Sequence, residues 1–328
     1  MRAMIAREFG PPDVLVPVDV PEPELREHDL LVEVAATAVN PVDCKIRHSN
    51  LRDVHQPPVI LGYDVCGTVR DVGPAVDAFK PGDRIIASPS IGRPGANAEL
   101  VAVDARTCAH KPGNLDDAGA ATLPLVSITA FEALHKRAHL HHGETVLIQA
   151  GAGGVGHIAI QLARVAGARV IATASRDESI ALCRELGADE VINHADEDVP
   201  ARVMELTDGR GCPVVMDNVG GRVFNQSLAC LAVHGRLVTI VGPPRDAPIA
   251  DYFLRDITIA LEFMSAPTIF NTHPGSQGQI LETVKELVEA GKLTPHVSHR
   301  FKLDELADAH RQQETRHTLG KIAVTVAQ

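Results

Sequence analysis

Glu144-Thr-Val-Leu-Ile-Gln-Ala-Gly151-Ala-Gly153-Gly-Val-Gly156-His-Ile-Ala-Ile-Gln-Leu-Ala-Arg164 is the stretch that decides the fold. Its aliphatic run, residues 146–148, reads as a buried parallel strand. A loop follows with Gly151, Gly153 and Gly156 in G-x-G-x-x-G register, and Ile158, Ala159, Leu162 and Val165 then recur at helical spacing. Strand, glycine loop and helix together form a phosphate site. The first glycine is expected to permit the tight turn, the second to let a pyrophosphate approach the backbone, and the third to let helix and strand pack closely. The helix start, with Gly154 and Val155, offers free N–H groups and the positive dipole end to an anion. The motif therefore predicts a dinucleotide site.

The rest of the chain sets limits on its partners. A length of 328 residues fits about two domains. Hydrophobic and charged fractions of 45% and 22% describe a soluble globular chain with a sizeable core. The net charge of −11 leaves no basic surplus for nucleic acid or an anionic membrane. The first residues lack the apolar core of a signal peptide, and no run approaches the roughly 18 apolar residues of a membrane span, so the cytoplasm is the expected location. Six cysteines (44, 66, 108, 183, 212 and 230) are scattered without a C-x-x-C pair. They are expected as small buried hydrophobes, not as disulfides or a zinc ribbon.

Up to about residue 120 the pattern is strand-rich, with β-type runs at 30–39, 60–72, 84–87 and 98–103 punctuated by Pro and Gly. Helical runs follow at 115–123 and 127–136. From 144 onward strands and helices alternate: strands at 169–174, 190–193, 213–219, 236–241 and 257–263, and helices at 177–186, 199–207 and 222–232. That alternation predicts a doubly wound parallel sheet. A helix at 278–290, a strand at 298–301, a helix at 303–314 and a strand at 321–326 close the chain.

Asn40-Pro-Val-Asp-Cys-Lys45, Leu61-Gly-Tyr-Asp-Val-Cys-Gly-Thr68, Phe79-Lys-Pro-Gly-Asp-Arg84, the glycine loop and Gly320-Lys-Ile-Ala-Val324 resemble the medium-chain dehydrogenase/reductase superfamily. The likeness runs the full length and is greatest to its zinc-independent quinone oxidoreductase and enone reductase branch. It implies an α/β architecture in which a Rossmann-type cofactor domain (123–263) is inserted into a GroES-like, β-rich catalytic domain (1–122 and 264–328). It also implies a homodimer, joined through the strand at 257–263.

In zinc-dependent relatives a Cys stands at the position of Asn40, and Gly-His-Glu at Gly62-Tyr63-Asp64. An amide and a phenol are poor zinc ligands, so no zinc is expected. Without a Lewis acid, alcohol oxidation loses its means of stabilising an alkoxide, and reduction of an already polarised acceptor is favoured. For the cofactor, the strand at 169–174 ends in Ser175-Arg176 with no acid at its last position. A hydroxyl and a guanidinium suit the 2′-phosphate of NADPH. The alternative for Ser175 is a capping box with Glu178.

The resemblance further implies Thr129 near the phosphates or nicotinamide, and His194 and Asn218 near the adenosine. Val241 and Met264 would lie near the nicotinamide, and Lys321 near the outer phosphate or adenine edge. Asn40 would touch nicotinamide or substrate, or simply hold the turn before Pro41. Tyr63 would stabilise a developing enolate or be a packed ring. Lys45 would donate a proton or be solvated, with solvent itself as the other donor. His139-Leu-His-His142 is expected as an exposed turn rather than a metal site. The expected function is an NADPH-dependent, zinc-independent reductase of a quinone or α,β-unsaturated carbonyl, with a small-molecule substrate. An enoyl-thioester reductase and a non-catalytic, crystallin-like or regulatory NADPH-binding protein are the alternatives. The acceptor depends on segments 47–57, 88–95 and 263–276, whose patterning is poor.

Overall fold

A computed structural model of the chain describes residues 1–48, 56–273 and 275–326. Of the segments expected to shape the acceptor pocket, residues 49–55 and 274 lie outside these. The chain divides into two units, Met1–Ile128 with Ser265–Gln328, and Thr129–Met264. The boundaries fall at 128/129 and 264/265, slightly beyond those read from sequence.

The N-terminal part of the first unit carries strands β1 (Arg2–Ala6), β2 (Leu15–Asp19) and β3 (Asp29–Val39), helix α1 (Pro41–Arg47), and strands β4 (Val59–Ile60), β5 (Val65–Val72), β6 (Arg84–Ala87), β7 (Leu100–Asp104) and β8 (Cys108–His110). Helices α2 (Asp117–Ala121) and α3 (Pro124–Phe131) follow. The helix expected at 127–136 changes type midway. Residues Glu132–Arg137 are π-helical, with the Ala138 amide reaching back to the Ala133 carbonyl at 2.9 Å.

The second unit runs β9 (Thr145–Ile148), α4 (Gly154–Val165), β10 (Arg169–Ala174), α5 (Asp177–Glu185), β11 (Glu190–Asn193), α6 (Val199–Leu206), β12 (Cys212–Asp217), α7 (Arg222–Ala229), β13 (Leu231–Thr239) and β14 (Thr258–Leu261). The six strands are parallel in the order β11-β10-β9-β12-β13-β14. Leu147, Ile171, Val215, Phe224 and Leu237 form its core on one side. Ile158, Ala159 and Leu162 of α4 are buried as their spacing predicts, but Val165 is exposed, because the helix ends there and its last turn leaves the sheet.

The chain returns to the first unit with α8 (Ala266–Ile269), α9 (Gly275–Glu289), β15 (Val297–Lys302), α10 (Leu306–Glu314) and β16 (Lys321–Thr325). Here the sheet runs β15-β16-β3-β5-β6-β8, with β7 also on β3, beside a smaller sheet β2-β1-β4. β3 is a nearly unbroken apolar run because three strands pair with it and both its faces are covered. One register matters for the chemistry. β16 pairs antiparallel to β3 with Ile322 opposite Val39. Lys321 therefore sits one step beyond the pair, where the chain of β3 turns through Asn40 into α1.

Candidate active site

In the second unit the strand order reverses between β9 and β12, and the carboxyl ends of these strands are where such sheets bind their ligands. The glycine loop follows β9. The turn itself is made by Ala150, which takes a left-handed φ of +53°, and not by Gly151 as the motif suggests. A Cβ on Gly151 would lie 2.8 Å from the Ala172 Cβ and 2.9 Å from the Cys183 Sγ, so this glycine serves packing against β10 and α5. At Gly153, chain neighbours aside, such a Cβ meets within 4 Å only the Ala150 carbonyl oxygen among the described residues, at 3.2 Å. That open space is what a closely approaching pyrophosphate needs. At Gly156 a Cβ would run into the Ala150 carbonyl and sit 2.8 Å from the Gly151 oxygen. No side chain caps Gly153 at the head of α4, so the first amides of the helix, Gly154, Val155 and Gly156, are left for an anion.

Around the loop, Asn218 donates from Nδ2 to the Gln149 carbonyl at 2.8 Å, tying the turn after β12 to the end of β9. Its buried Oδ1 has no partner among the described residues. Asp217, given no chemistry from sequence, accepts from the amides of Val219 and Gly220 and from the Thr239 hydroxyl, which shapes the same turn. After β10, the N-cap of α5 is Arg176 and not Ser175: the Arg176 amide donates to the Ser179 hydroxyl at 3.0 Å, and that hydroxyl donates back to the Arg176 carbonyl. The capping explanation for Ser175 thus fails, because the box is built one residue further on. Arg176 pairs with Glu178 at 2.8 Å, both side chains being well exposed. An exposed pair of this kind contributes about 0–1 kcal/mol and gives way easily to a stronger anion. His194 is exposed after β11 and Val241 is half exposed after β13, while Thr129 and Met264 are buried at the two ends of this unit.

In the first unit a buried polar cluster gathers at the end of β3, built from groups that are far apart in sequence. Asn40, Asp43, Asp64 and Lys321 are each at most 3% exposed. Lys321 Nζ donates to Asn40 Oδ1 and, at 3.0 Å, to Asp64 Oδ2. Asn40 Nδ2 donates to the same Asp64 oxygen at 2.8 Å, and the Leu125 amide donates to Asp64 Oδ1 at 2.7 Å. Since an ammonium only donates and a carboxylate only accepts, the Asn40 amide can point only one way. Asp43 closes the α1 capping box, accepting from the Asn40 amide at 2.8 Å and from the Gly62 amide at 2.9 Å. Burial pushes the Asp43 carboxyl up to about 7, against the pull of those two amides. Burial raises Asp64 as well, opposed by Lys321 and Asn40.

The cluster changes the roles of three residues. Lys321 was expected at the outer phosphate or adenine edge, but the register of β16 on β3 commits its ammonium to Asn40 and Asp64. Tyr63 is a packed ring: it is 0% exposed in a core of Met4, Ile46, Leu61 and Ile91, and burial pushes its phenol far above the ordinary range. It is not placed to meet an enolate. Lys45 points to solvent from α1 and does not join the cluster. Gln149 and Thr173 gained no role from the sequence, where a Thr within an apolar strand carries little signal; Asp64 was marked by its motif, but not as the partner of Lys321.

A zinc ion does not fit these donors. The Asn40 amide is used at both ends, the Tyr63 phenol is buried in the core, and Asp64 already holds a resident cation in Lys321. All six cysteines are free and buried. Among the described residues no group of three or more His, Cys, Asp or Glu side chains is arranged to hold a metal, His139, His141 and His142 included. Among the described residues no helix is long and apolar enough to cross a membrane.

Known proteins share this plan. The family pattern described as alcohol dehydrogenase GroES-like domain matches residues 26–113, and that described as zinc-binding dehydrogenase matches 154–287. The NADPH-dependent alkenal/one oxidoreductase of Arabidopsis thaliana is 33% identical, over 99% of this chain and 79% of its own. A quinone oxidoreductase of Pseudomonas aeruginosa is 33% identical over 95% of both chains. The chain belongs to the medium-chain dehydrogenase/reductase superfamily, as a quinone oxidoreductase-like member. An alcohol dehydrogenase superfamily protein from Novosphingobium aromaticivorans has the same fold, with a TM-score of 0.93 at 37% identity over the whole of both chains. The chain is accordingly an oxidoreductase, with a GroES-like domain and a Rossmann-like parallel-sheet domain. The superfamily's zinc chemistry is where its own donor set departs from the pattern's description.

Proposed function

We propose that this oxidoreductase uses NADPH, without zinc, to reduce a quinone or an α,β-unsaturated carbonyl. The carrying observation is the resident ammonium: Lys321 occupies the Asn40–Asp64 pair in place of any metal ion. With no Lewis acid to polarise the substrate, the acceptor must bring its own electrophilic carbon. Bound NADPH would supply the hydride. The glycine loop, with the amides of Gly154, Val155 and Gly156, would hold the pyrophosphate, and Ser175 with Arg176 the 2′-phosphate. Asn218 Oδ1, an acceptor without a partner among the described residues, would take a hydrogen bond from the cofactor. Hydride adds to the electrophilic carbon of the acceptor and a proton to the resulting anion, so that one two-electron reduction is complete. Since Tyr63 is buried and Lys45 faces water, solvent is the proton source in this reading. The Arabidopsis relative, named for NADPH and for alkenals and enones, supports both halves of it.

Two further readings belong to the same proposal. β14 is the edge of its sheet, and Leu261 and Phe263 beside it are 59% and 48% exposed, which suits a homodimer joined there. Six free cysteines suit a reducing compartment, hence the cytoplasm.

The test is an acceptor panel of benzoquinones, 2-alkenals and enoyl thioesters with NADPH and NADH, beside simple alcohols offered as hydride donors with NADP⁺ and NAD⁺. Zinc content and sedimentation are measured on the same sample. Turnover of quinones or alkenals with NADPH by a metal-free dimer is the expected result, with full kcat retained in Tyr63→Phe and Lys45→Ala. A requirement for stoichiometric zinc, or a strong NADH preference, overturns the reading. Enoyl-thioester turnover alone shifts it to that class, and no turnover at all returns it to a binding protein.

A further inference from the structure

Beneath the glycine loop lies a buried hydrogen-bond relay to which no chemistry has yet been assigned. Gln149, Thr173 and Ser227 are each at most 3% exposed. Gln149 Nε2 donates to the Ser227 hydroxyl of α7 at 3.1 Å. On its other side Gln149 Oε1 faces Thr173 on β10 and accepts its hydroxyl at 2.9 Å. The hydroxyl has one proton and spends it there, which leaves its lone pair for the amide of Ala150, at 3.0 Å. The next amide, Gly151, donates to the backbone carbonyl of the same Thr173 at 2.9 Å. One residue of β10 thus holds two consecutive amides of the loop.

Ala150 is the pivot of that loop. It is a non-glycine residue in the left-handed region, a conformation that persists only where surrounding bonds over-determine it. Its carbonyl accepts the Gly153 amide at 3.0 Å and is the atom that would block a Cβ at Gly156. Turning Ala150 therefore moves both the open space at Gly153 and the start of α4.

We propose that Thr173 is a positioning residue for the cofactor: through the Ala150 amide it sets the glycine loop in the shape that receives the pyrophosphate. This rests on the NADPH reading above. The relay draws one group from each of β10, the β9 end and α7, so the three crossover units register against one another at the loop, and the bonds in series polarise each other.

The experiment compares the wild type with Thr173→Val, which keeps the shape and removes the hydroxyl, and Thr173→Ser, which restores it. Two readouts are taken: NADPH Kd by fluorescence titration, and amide hydrogen exchange of the 149–156 segment in cofactor-free protein. Thr173→Val is expected to weaken NADPH roughly tenfold, since it leaves two buried polar groups without partners, and to speed exchange at Ala150 by a similar factor. kcat at saturating NADPH should stay within about twofold, and Thr173→Ser should recover most of the affinity. Should Thr173→Val fail to fold, Gln149→Met carries the same test, because it removes the acceptor that aims the hydroxyl. Unchanged affinity and exchange in the folded variant refute the positioning role. So does a loss that appears only in thermal stability and not in Kd. If the wild type itself does not bind NADPH, the cofactor reading fails instead.

Discussion

Two alanine substitutions in the glycine loop separate what shapes the loop from what touches the cofactor. In Gly156→Ala the new Cβ meets only backbone: the Ala150 carbonyl, the Gly151 oxygen at 2.8 Å and the Gly151 Cα at 2.9 Å. No side chain can swing aside, so the turn must move by on the order of 1 Å, at a strain of about 1–3 kcal/mol. A displacement of that size at a positioning element is worth about 10²-fold in function. In Gly153→Ala the single near atom lies at 3.2 Å, so a shift of a few tenths of an ångström suffices. Its stability cost is that of an Ala in place of a Gly at an N-cap, about 0.5–1 kcal/mol. The new methyl, however, fills the space assigned to the pyrophosphate.

The assay is thermal denaturation of the cofactor-free protein together with NADPH titration by fluorescence. Gly156→Ala should lose several degrees of Tm and most of its affinity, because the loop itself is displaced. Gly153→Ala should keep Tm within about 3 °C yet weaken NADPH by at least about tenfold. Wild-type affinity in Gly153→Ala refutes the claim that the pyrophosphate approaches there. An equal loss of Tm in both variants refutes the division of labour between the two glycines.

Three other substitutions test the remaining assignments. Arg176→Ala removes the guanidinium assigned to the 2′-phosphate, together with its exposed pair with Glu178. It should raise the NADPH KM about tenfold or more while the NADH KM barely moves, and equal effects on both would remove Arg176 from the phosphate. Lys321→Met strips the cation from Asp64 and should cost about 3–5 kcal/mol in urea denaturation, as for other broken buried pairs. If Lys321 instead gripped a cofactor phosphate, NADPH affinity would fall in proportion with little change in stability. His310, on α10, is fully buried and accepts from Arg47 Nε at 3.3 Å; burial and the neighbouring Arg47 press its pKa down to about 3. Below pH 6.5 the unfolded chain binds this proton and the folded one does not. Stability should thus fall from about pH 6.5 toward pH 3, by about 4 kcal/mol in all. His310→Gln should flatten that part of the ΔG–pH curve relative to the wild type, and an unchanged slope would contradict the assignment.

The parallel sheet of the second unit was legible because strands buried on both faces read as short aliphatic runs with Gly or polar residues at each end. Residues 169–174 and 190–193 coincide with β10 and β11. The π-turns at Glu132–Arg137 were not legible, since a π-helix has no apolar period of its own; one tertiary pair, Arg137 to Glu262 at 2.8 Å, and one local pair, Lys136 to Glu132 at 3.0 Å, accompany the widened turn. Likewise the helix expected over 222–232 stops at Ala229, and Leu231–Thr239 joins the sheet through an irregular register beside His234. The glycine loop was found at once, yet its turn was assigned to Gly151 where Ala150 makes it, because a motif fixes spacing but not φ. Asn40 was visible from its motif. Its partners were not, since Asp64 and Lys321 meet it only through the pairing of β5 and β16 with β3.

That meeting of strands also decides the chemistry. A lysine brought to a buried carboxylate cannot be a neutral bystander. The desolvation of both ions is offset only by their attraction and by the bonds that fill their remaining valences, and here Asn40 and the Leu125 amide supply those bonds. Zinc at the same place would need to displace the ammonium and then find thiolate or imidazole ligands, and α1 and the 61–68 segment present an amide and a core phenol instead. The ammonium and the carboxylate thus balance one another. In the proposed reading no Lewis acid is then at hand to stabilise an alkoxide. On the function proposed above, the reducible group is one already conjugated to a carbonyl, and simple alcohols should remain inert with NADP⁺ or NAD⁺ at every pH.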